Sequence, residues 1–191
     1  MKCPVCHTNE ARLESGILLI CLDCETRMND DVVQLRLSKT NLEHIGIPPQ
    51  YHDAPIQEVR GSNYVYGNPG TGKTTYVVGI AKFYMSIGAS VQFMNVMEVL
   101  AELRSLVFKN VAEYDFLYKY LVADVLVMDD VGVRKNSEWH EQTLYLILNH
   151  RLNHGLVTVV TGNTNLDGMV DKLGERCVSR LERMCNLVCL N

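Results

Sequence analysis

Eight consecutive residues carry the clearest chemistry in this sequence. Residues 67–74 read GNPGTGKT and fit the pattern G-x-x-x-x-G-K-[ST] in full. A loop of this kind wraps a chain of phosphates with backbone N–H groups that point inward, and glycine permits the backbone angles and the close approach that this needs. The lysine reaches the β- and γ-phosphates, and the hydroxyl of the next residue binds Mg²⁺. The sequence therefore predicts a site for a nucleoside triphosphate with Mg²⁺.

The residues expected to contact the nucleotide belong to this loop and to the start of the helix behind it. They are Gly67, Asn68, Pro69, Gly70, Thr71, Gly72, Lys73, Thr74 and Thr75. The alternative interpretation of the same residues is a glycine-rich loop that binds no ligand.

A second acidic element follows the apolar run VLVM, where Asp129 and Asp130 end a predicted buried strand. Asp129 is expected to hold Mg²⁺, and Asp130 is expected to polarise the attacking water. Many related ATPases carry the longer glutamate at the second position, so slower hydrolysis is expected here. The alternative is a strand that simply ends in a polar turn, since Gly132 follows.

Polar residues also end the predicted strand LVTVVTGNTN, among them Asn163 and Asn165. We expect Asn163 to contact the γ-phosphate and to orient water, whereas Asn165 also fits a cap of the next helix. The segment GERCVSRLER then carries Arg176, Arg180 and Arg183. From the residues alone, these arginines are either a solvated basic helix face or the source of a cation that acts on a neighbouring subunit.

Four cysteines lie far ahead of these motifs. Cys3 and Cys6 form one C-x₂-C pair, Cys21 and Cys24 form another, and the run ARLESGILLI between them favours a β-hairpin. Two such pairs supply four thiolates for a structural Zn²⁺ site, and metal binding would provide the folding energy that so short a segment lacks. A redox C-x-x-C pair and free thiols are the alternatives. The remaining cysteines lack such spacing and are expected to be core thiols: Cys177, Cys185 and Cys189.

The order of elements favours an α/β fold. From residue 62 onward, strand signals alternate with helix signals, which indicates a mostly parallel sheet covered by helices on both faces. Residues 138–152 show helical spacing of Leu144, Ile147, Leu148 and Leu152. Residues 28–45 are expected to form a polar helix followed by a loop, and an irregular segment with three prolines comes next. We therefore predict a zinc-ribbon domain over residues 1–27, a linker over 28–58 and a nucleotide-binding domain over 59–191.

Composition limits the possible partners and locations. The net charge is −4, so any contact with nucleic acid must come from a local basic patch or from an assembly. No apolar run approaches the roughly 20 residues that cross a bilayer, so no membrane association is expected. We expect a cytoplasmic protein in which disulfides do not form.

Five segments in this order and spacing resemble the DnaC/DnaI-like helicase loaders, a family of AAA+ ATPases that deliver the ring-shaped replicative helicase onto DNA. The segments are GIPPQYHDA, VYGNPGTGKTT, MDDVG, TGNTN and KLGERCVSRLERM. The resemblance covers residues 45–191, and its most specific part is LGER-x-x-SRL after a T-x-N strand end. The related IstB-type transposition helper ATPases share most of this pattern.

The resemblance implies a three-layer AAA+ core without a C-terminal lid, which binds ATP between neighbouring copies. It implies that Asn163 is the sensor residue and that Arg180 is an arginine finger that acts on the next subunit. Tyr51 and His52 lie where the family places a loop near the adenine, although packing explains them equally well. Three residues are implied as candidate contacts to single-stranded DNA: Arg104, Phe108 and Lys109. The zinc ribbon is similar in placement to the helicase-gripping domain of some loaders.

Three alternatives remain open at this point. A transposition helper assembles on double-stranded DNA and recruits a transposase. A zinc-containing thymidine kinase is also a short P-loop protein with C-x-x-C pairs, but it has the P-loop first and the cysteines later. A pure adapter binds ATP without hydrolysing it.

Overall fold

The computed structural model describes the backbone of residues 13–14, 17–18, 22–107, 112–132 and 137–191, and the side chains of residues 29–106, 112–132 and 137–191. The strands are β1 (Leu13–Glu14), β2 (Ile17–Leu18), β3 (Asn63–Tyr66), β4 (Val91–Asn95), β5 (Val125–Val131), β6 (Val157–Gly162) and β7 (Asn186–Cys189). The helices are α1 (Leu22–Arg36), α2 (Lys39–His44), α3 (Lys73–Ser86), α4 (Val96–Val107), α5 (Glu113–Val122), α6 (Glu138–Asn153), α7 (Val170–Leu173) and α8 (Glu175–Met184). Short 3₁₀ turns occur at Pro49–Tyr51 and Asp167–Met169.

Strands β3 to β7 form a single five-stranded sheet in the order β4-β5-β6-β3-β7. All four pairings in this sheet are parallel, which confirms the predicted α/β class. In a parallel sheet the carboxyl ends of all strands meet at one edge. The loops after β3, β5 and β6, which contain the predicted nucleotide residues, therefore lie side by side.

The sheet separates two apolar cores, which makes the domain a three-layer structure. In β5, Val125 and Val127 face the core beneath α3, whereas Leu126 and Met128 face the core shared by α4, α5, α6 and α8. This alternation follows from the two-residue period of a strand. The apolar run before Asp129 is therefore buried on both faces, as the sequence predicted.

The proline-rich segment after α2 lies on the outer side of α3. Lys82 Nζ donates to the carbonyl oxygens of His52 at 3.0 Å and Ala54 at 2.7 Å, and Gln57 N donates to the carbonyl of Gly79. A Cβ at Gly79 would collide with the carbonyl oxygen of Pro55, so glycine permits this close approach. These contacts fix the proline-rich segment to α3.

An unpredicted buried cation lies at the opposite end of the sheet. Arg151 of α6 is fully buried, and its guanidinium donates to the carbonyl oxygens of Tyr120 and Ala123 at 2.9 Å and to that of Val157. Its Nε donates to Thr158 Oγ1 at 2.9 Å. Burial lowers the pKa of Arg151 to about 10. This side chain links the end of α5 to the start of β6.

The amino-terminal region differs from expectation in one respect. Helix α1 begins at Leu22 rather than at residue 28, so it runs across the predicted boundary between the first domain and the linker. The backbone pairs β1 with β2 in antiparallel register where a hairpin was predicted. Among the helices that the structure describes, none is both long and apolar enough to cross a membrane.

Candidate nucleotide-binding site

The loop between β3 and α3 has the backbone conformation that its glycines predict. Gly70 and Gly72 have φ angles of 86° and 84°, in the left-handed region that L-residues with side chains rarely adopt. Helix α3 begins at Lys73, directly after Gly72. The first N–H groups of a helix have no partner within it and carry partial positive charge, so this loop and helix start form an anion site.

Lys73 lies on the inner side of the loop. The side chain is buried, and Nζ donates to the carbonyl oxygens of Gly67 and Asn68, both at 2.9 Å. Asn68 also accepts from Thr71 Oγ1 at 3.0 Å. The loop therefore closes around the ammonium group, which holds the cation where phosphates bind in this type of loop.

A carboxylate and two hydroxyls meet beside the loop. Asp129 is 6% exposed and accepts hydrogen bonds from Thr74 Oγ1 at 3.0 Å and from Thr161 Oγ1 at 2.7 Å. Burial raises the pKa of Asp129, and the hydrogen bonds from Thr161 and Thr74 act in the opposite direction. Hydroxyl and carboxylate oxygens are the hard ligands that Mg²⁺ prefers, so these residues fit a magnesium site.

Asp130 has an unusual backbone. Its φ is 63°, and no other non-glycine residue among those described has a positive φ. The pairing of β5 with β6 shifts here, because two residues of β5, Asp129 and Asp130, lie opposite one residue of β6, Thr161, which is a β-bulge. Asp130 N donates to Thr161 Oγ1 at 2.8 Å. The bulge turns the half-buried Asp130 toward the same cleft as Asp129.

These residues line one cleft of about 680 Å³, within the range of small-molecule sites. Its lining includes Lys73, Thr74, Asp129, Asp130 and Asn163. The structure thus brings together the predicted residues from the ends of three neighbouring strands.

The two candidate asparagines after β6 separate clearly. Asn163 lines the cleft, whereas Asn165 Oδ1 accepts from Gly168 N at 3.1 Å and caps the 3₁₀ turn. On the opposite side of this loop, Tyr64 Oη donates to the carbonyl oxygen of Thr164 at 2.8 Å. Tyr64 is buried, so it fixes the backbone next to Asn163.

Arg180 does not lie in the cleft of its own chain. It extends from α8 to α6, where Nε donates to Asn149 Oδ1 at 3.0 Å and Nη2 donates to Tyr145 Oη at 2.9 Å. Arg176 also places its guanidinium 5.5 Å from the centre of the Tyr145 ring. The structure therefore separates Arg180 from the other predicted catalytic residues.

The sequence pattern of the IstB-like ATP binding proteins matches residues 59–185, well over half of the 191 residues. The chain belongs to the IstB-like ATP binding protein family. The matched residues include the loop, both strand ends and α8, so the family match covers every residue described above at the site.

Known relatives of this IstB-like domain agree with that assignment. The replicative helicase loader DnaC of Escherichia coli (strain K12) is 28% identical over 117 residues, which is 60% of this chain and 47% of the loader. The crystal structure of the DnaC helicase loader superposes with a TM-score of 0.61 at 25% identity, covering 81% of this chain and 90% of that one. The crystal structure of DnaI has the same fold, with a TM-score of 0.63 at 19% identity and coverage of 81% and 86%. The chain spans about half the length of the curated relatives it matches.

These findings confirm the predicted AAA+ type of domain and the resemblance to DnaC-type loaders. Several other predictions of the sequence lie outside the described residues. Three zinc-ligand candidates, Cys3, Cys6 and Cys21, and two candidate DNA contacts, Phe108 and Lys109, lie outside the described residues. For Cys24 the structure gives only the backbone, in the first turn of α1. Within the described part, no group of three metal-ligating side chains occurs, and Arg104 is exposed on α4.

Two of the smaller expectations are resolved for this IstB-like chain. Tyr51 lines the cleft, whereas His52 is buried and its Nε2 lies 3.0 Å from the carbonyl oxygen of Ile47, so His52 has a packing role. Cys177 is a buried thiol whose pKa is raised to about 12 by burial. Cys189 is exposed on the edge strand β7, so its prediction as a core thiol was wrong.

Sequence reasoning gave no role to one residue that the site depends on. Thr161 is buried at the end of β6 and joins Asp129 to the backbone of Asp130. Its place among the polar residues that end the strand LVTVVTGNTN was the available signal. The cleft also has lining residues that no motif marked: Phe93, Asn95 and Glu98.

Proposed function

We propose that this chain is an ATP-dependent helicase loader, which binds the replicative DNA helicase and places it on single-stranded DNA during replication initiation. The supporting observation is that an intact phosphate loop, with Asp129 and Asp130 beside it, occurs in a domain homologous to the helicase loader DnaC. Because the chain spans about half of that relative, the helicase, the DNA and the activity all belong to this proposal.

In the proposed complex, ATP binds with its phosphates in the loop of residues 67–74. Lys73 and the N–H groups at the start of α3 bind the β- and γ-phosphates. Thr74 and Asp129 hold Mg²⁺, which neutralises the charge that develops on the phosphates during transfer. Asp130 accepts a proton from the attacking water, and Asn163 orients that water.

Arg180 acts in this proposal on the nucleotide of a neighbouring copy. Its place on α8, outside its own cleft, supports an action between subunits. A guanidinium placed at the γ-phosphate stabilises the transition state of phosphoryl transfer. Self-association is therefore required for full turnover.

The amino-terminal region completes the proposal. Residues 1–27 bind Zn²⁺ through Cys3, Cys6, Cys21 and Cys24 and grip the helicase, residues 28–58 are the linker, and residues 59–191 are the ATPase domain. Metal content of the purified chain tests the zinc site, with one equivalent expected and none after replacement of Cys3 and Cys6 by serine. Zinc that remains bound in that variant would contradict the proposed ligands.

Calorimetry with ATP and Mg²⁺ tests the nucleotide site. The wild-type chain is expected to bind ATP, and Lys73→Ala is expected to abolish binding, because the loop then loses the cation that it encloses. Lys82→Ala is a matched control, since this lysine lies on the same helix but donates to the proline-rich segment. Absence of ATP binding by the wild-type chain would end the proposal.

Affinity capture in the presence of ATP tests the partner. The replicative helicase of the host is the expected binding protein. Membership of the IstB-like family leaves one alternative open, a transposition helper of the IstB type, which would capture a transposase instead and would prefer double-stranded to single-stranded DNA. Capture of the transposase without the helicase would replace the first proposal by the second.

A further inference from the structure

The guanidinium of Arg180 is held on two sides by α6. Asn149 Oδ1 accepts from Nε at 3.0 Å, and Tyr145 Oη accepts from Nη2 at 2.9 Å. The central carbon of the guanidinium also lies 5.1 Å from the centre of the Tyr145 ring. Asn149 and Tyr145 are four residues apart on one helix, so a single rigid element makes both contacts.

Both partners of Arg180 are neutral. No carboxylate in the described part of the chain lies within ion-pairing distance of Arg180. A carboxylate partner would offset the positive charge, whereas an amide oxygen and a phenol fix the group and leave its charge in place. This arrangement suits a cation whose positive charge must act on an anion outside its own chain.

The hydrogen bonds also leave the Nη1 group of the guanidinium for a ligand. An arginine has five N–H donors, arranged so that Nε and Nη2 share one edge and Nη1 and Nη2 share another. Asn149 accepts from Nε and Tyr145 accepts from Nη2. Nη1 has no acceptor among the described residues, and N–H groups of a guanidinium donate to the oxygens of a phosphate.

We propose that Asn149 and Tyr145 are positioning residues, which hold Arg180 in the orientation that meets the γ-phosphate bound by a neighbouring copy of the chain. This inference rests on the proposed function, in which Arg180 acts between subunits. A long side chain that is already fixed loses less conformational freedom when it binds, so more of the interaction free energy stabilises the transition state. The competing explanation is that the same contacts only anchor α8 to α6.

A mixing experiment on the full-length protein separates these explanations. Subunits with Asp130→Asn have an inactive site but supply Arg180, whereas subunits with Arg180→Ala have an intact site but supply no arginine. Mixing the two is expected to restore ATP turnover at the junctions where Arg180 from the first meets the site of the second. Asn149→Leu is then added to one partner of the mixture at a time, and kcat and KM for ATP are measured.

The effect of Asn149→Leu on turnover is expected to depend on which of the two subunits carries it. Placed in the arginine-supplying subunit, Asn149→Leu is expected to lower kcat of the mixture about tenfold, with KM for ATP changed by less than about twofold. Placed in the subunit with the intact site, it is expected to have no effect, because that subunit has no Arg180 to position. Tyr145→Phe, which keeps the ring and loses the hydroxyl, should show the same dependence on placement. Asn153→Leu, one turn further along α6, is the control and should have no effect in either subunit.

Each contrary outcome has a distinct meaning. Equal loss from Asn149→Leu in both placements shows a structural role and overturns the inference. Full turnover with Asn149→Leu in the arginine-supplying subunit also overturns it, while leaving the action of Arg180 intact. If Arg180→Ala alone keeps wild-type turnover, Arg180 does not act between subunits, and the proposed function loses that step together with this inference.

Discussion

Thr161→Val is the substitution whose effect follows most directly from the structure. The hydroxyl of Thr161 donates to the buried carboxylate of Asp129 at 2.7 Å and accepts from the backbone N–H of Asp130 at 2.8 Å. Valine has nearly the same shape but no polar atom, so the change removes both hydrogen bonds without opening a cavity. The carboxylate keeps its hydrogen bond from Thr74, and the N–H of Asp130 loses its acceptor.

The expected cost combines these two losses. A hydrogen bond to a charged group contributes about 2 kcal/mol and an unsatisfied buried N–H costs about 1 kcal/mol, so the free energy of unfolding at pH 7 should fall by about 3 kcal/mol. For a chain of this size, that corresponds to a decrease of about 6–12 °C in Tm. Urea unfolding followed through Trp139, the single tryptophan of the chain, measures it.

The dependence on pH gives the sharper test. Burial raises the pKa of Asp129 in the folded state, so the folded chain binds more protons than the unfolded one, and stability falls as pH rises from the unfolded to the folded pKa. The hydrogen bond from Thr161 lowers the pKa of Asp129, so its loss should raise that pKa further. The difference between Thr161→Val and wild type should therefore be largest at neutral pH and should shrink as the solution is acidified.

Two controls make the prediction refutable. Thr143→Val removes a buried threonine hydroxyl that donates to a helix carbonyl at 2.9 Å, with no charge involved, and should cost about 1 kcal/mol at every pH. Thr161→Ser keeps the hydroxyl and should recover most of the lost stability. A cost for Thr161→Val that equals that of Thr143→Val and does not change with pH would refute the reasoning.

Three further predictions concern other parts of the domain. Arg151→Lys should lower the free energy of unfolding by about 3 kcal/mol or more, because several buried carbonyls lose their donor; a change below about 1 kcal/mol in urea unfolding would contradict this. Tyr64→Phe should lower kcat for ATP about threefold to tenfold with KM unchanged, because the loop beside Asn163 loses an anchor; a change in KM alone would point to binding instead. Asp130→Asn should keep ATP affinity in calorimetry and lose at least about 100-fold in turnover, whereas equal turnover in both proteins would contradict the role of Asp130, and absence of hydrolysis by the wild-type chain would favour an adapter that binds ATP without hydrolysing it.

Much of the fold was predictable because its signals are local. The apolar run before Asp129 shows burial on both faces, and the glycines before Lys73 show a phosphate loop, without knowledge of any distant residue. The start of α1 was missed because the C-x₂-C pair that ends at Cys24 was interpreted as part of a metal site, although the helix already begins at Leu22.

The parts that escaped prediction depend on long-range contacts. The pattern of α6 predicted an inward Leu152, whereas Leu152 is half-exposed and the neighbouring Arg151 is fully buried. No local rule predicts a buried arginine, because its acceptors come from α5 and β6. The positive φ of Asp130 likewise arises from the bulge between two strands.

The separation of Arg180 from the cleft of its own chain has a consequence for any assembly in which it acts on the next copy. The two sides of such a contact are different surfaces, so copies add head to tail rather than in face-to-face pairs. An open row then always has one nucleotide without an arginine, in the first copy, which no other copy precedes. That terminal copy would retain its ATP longest, so the row would carry a built-in polarity, with one slow end and faster positions behind it.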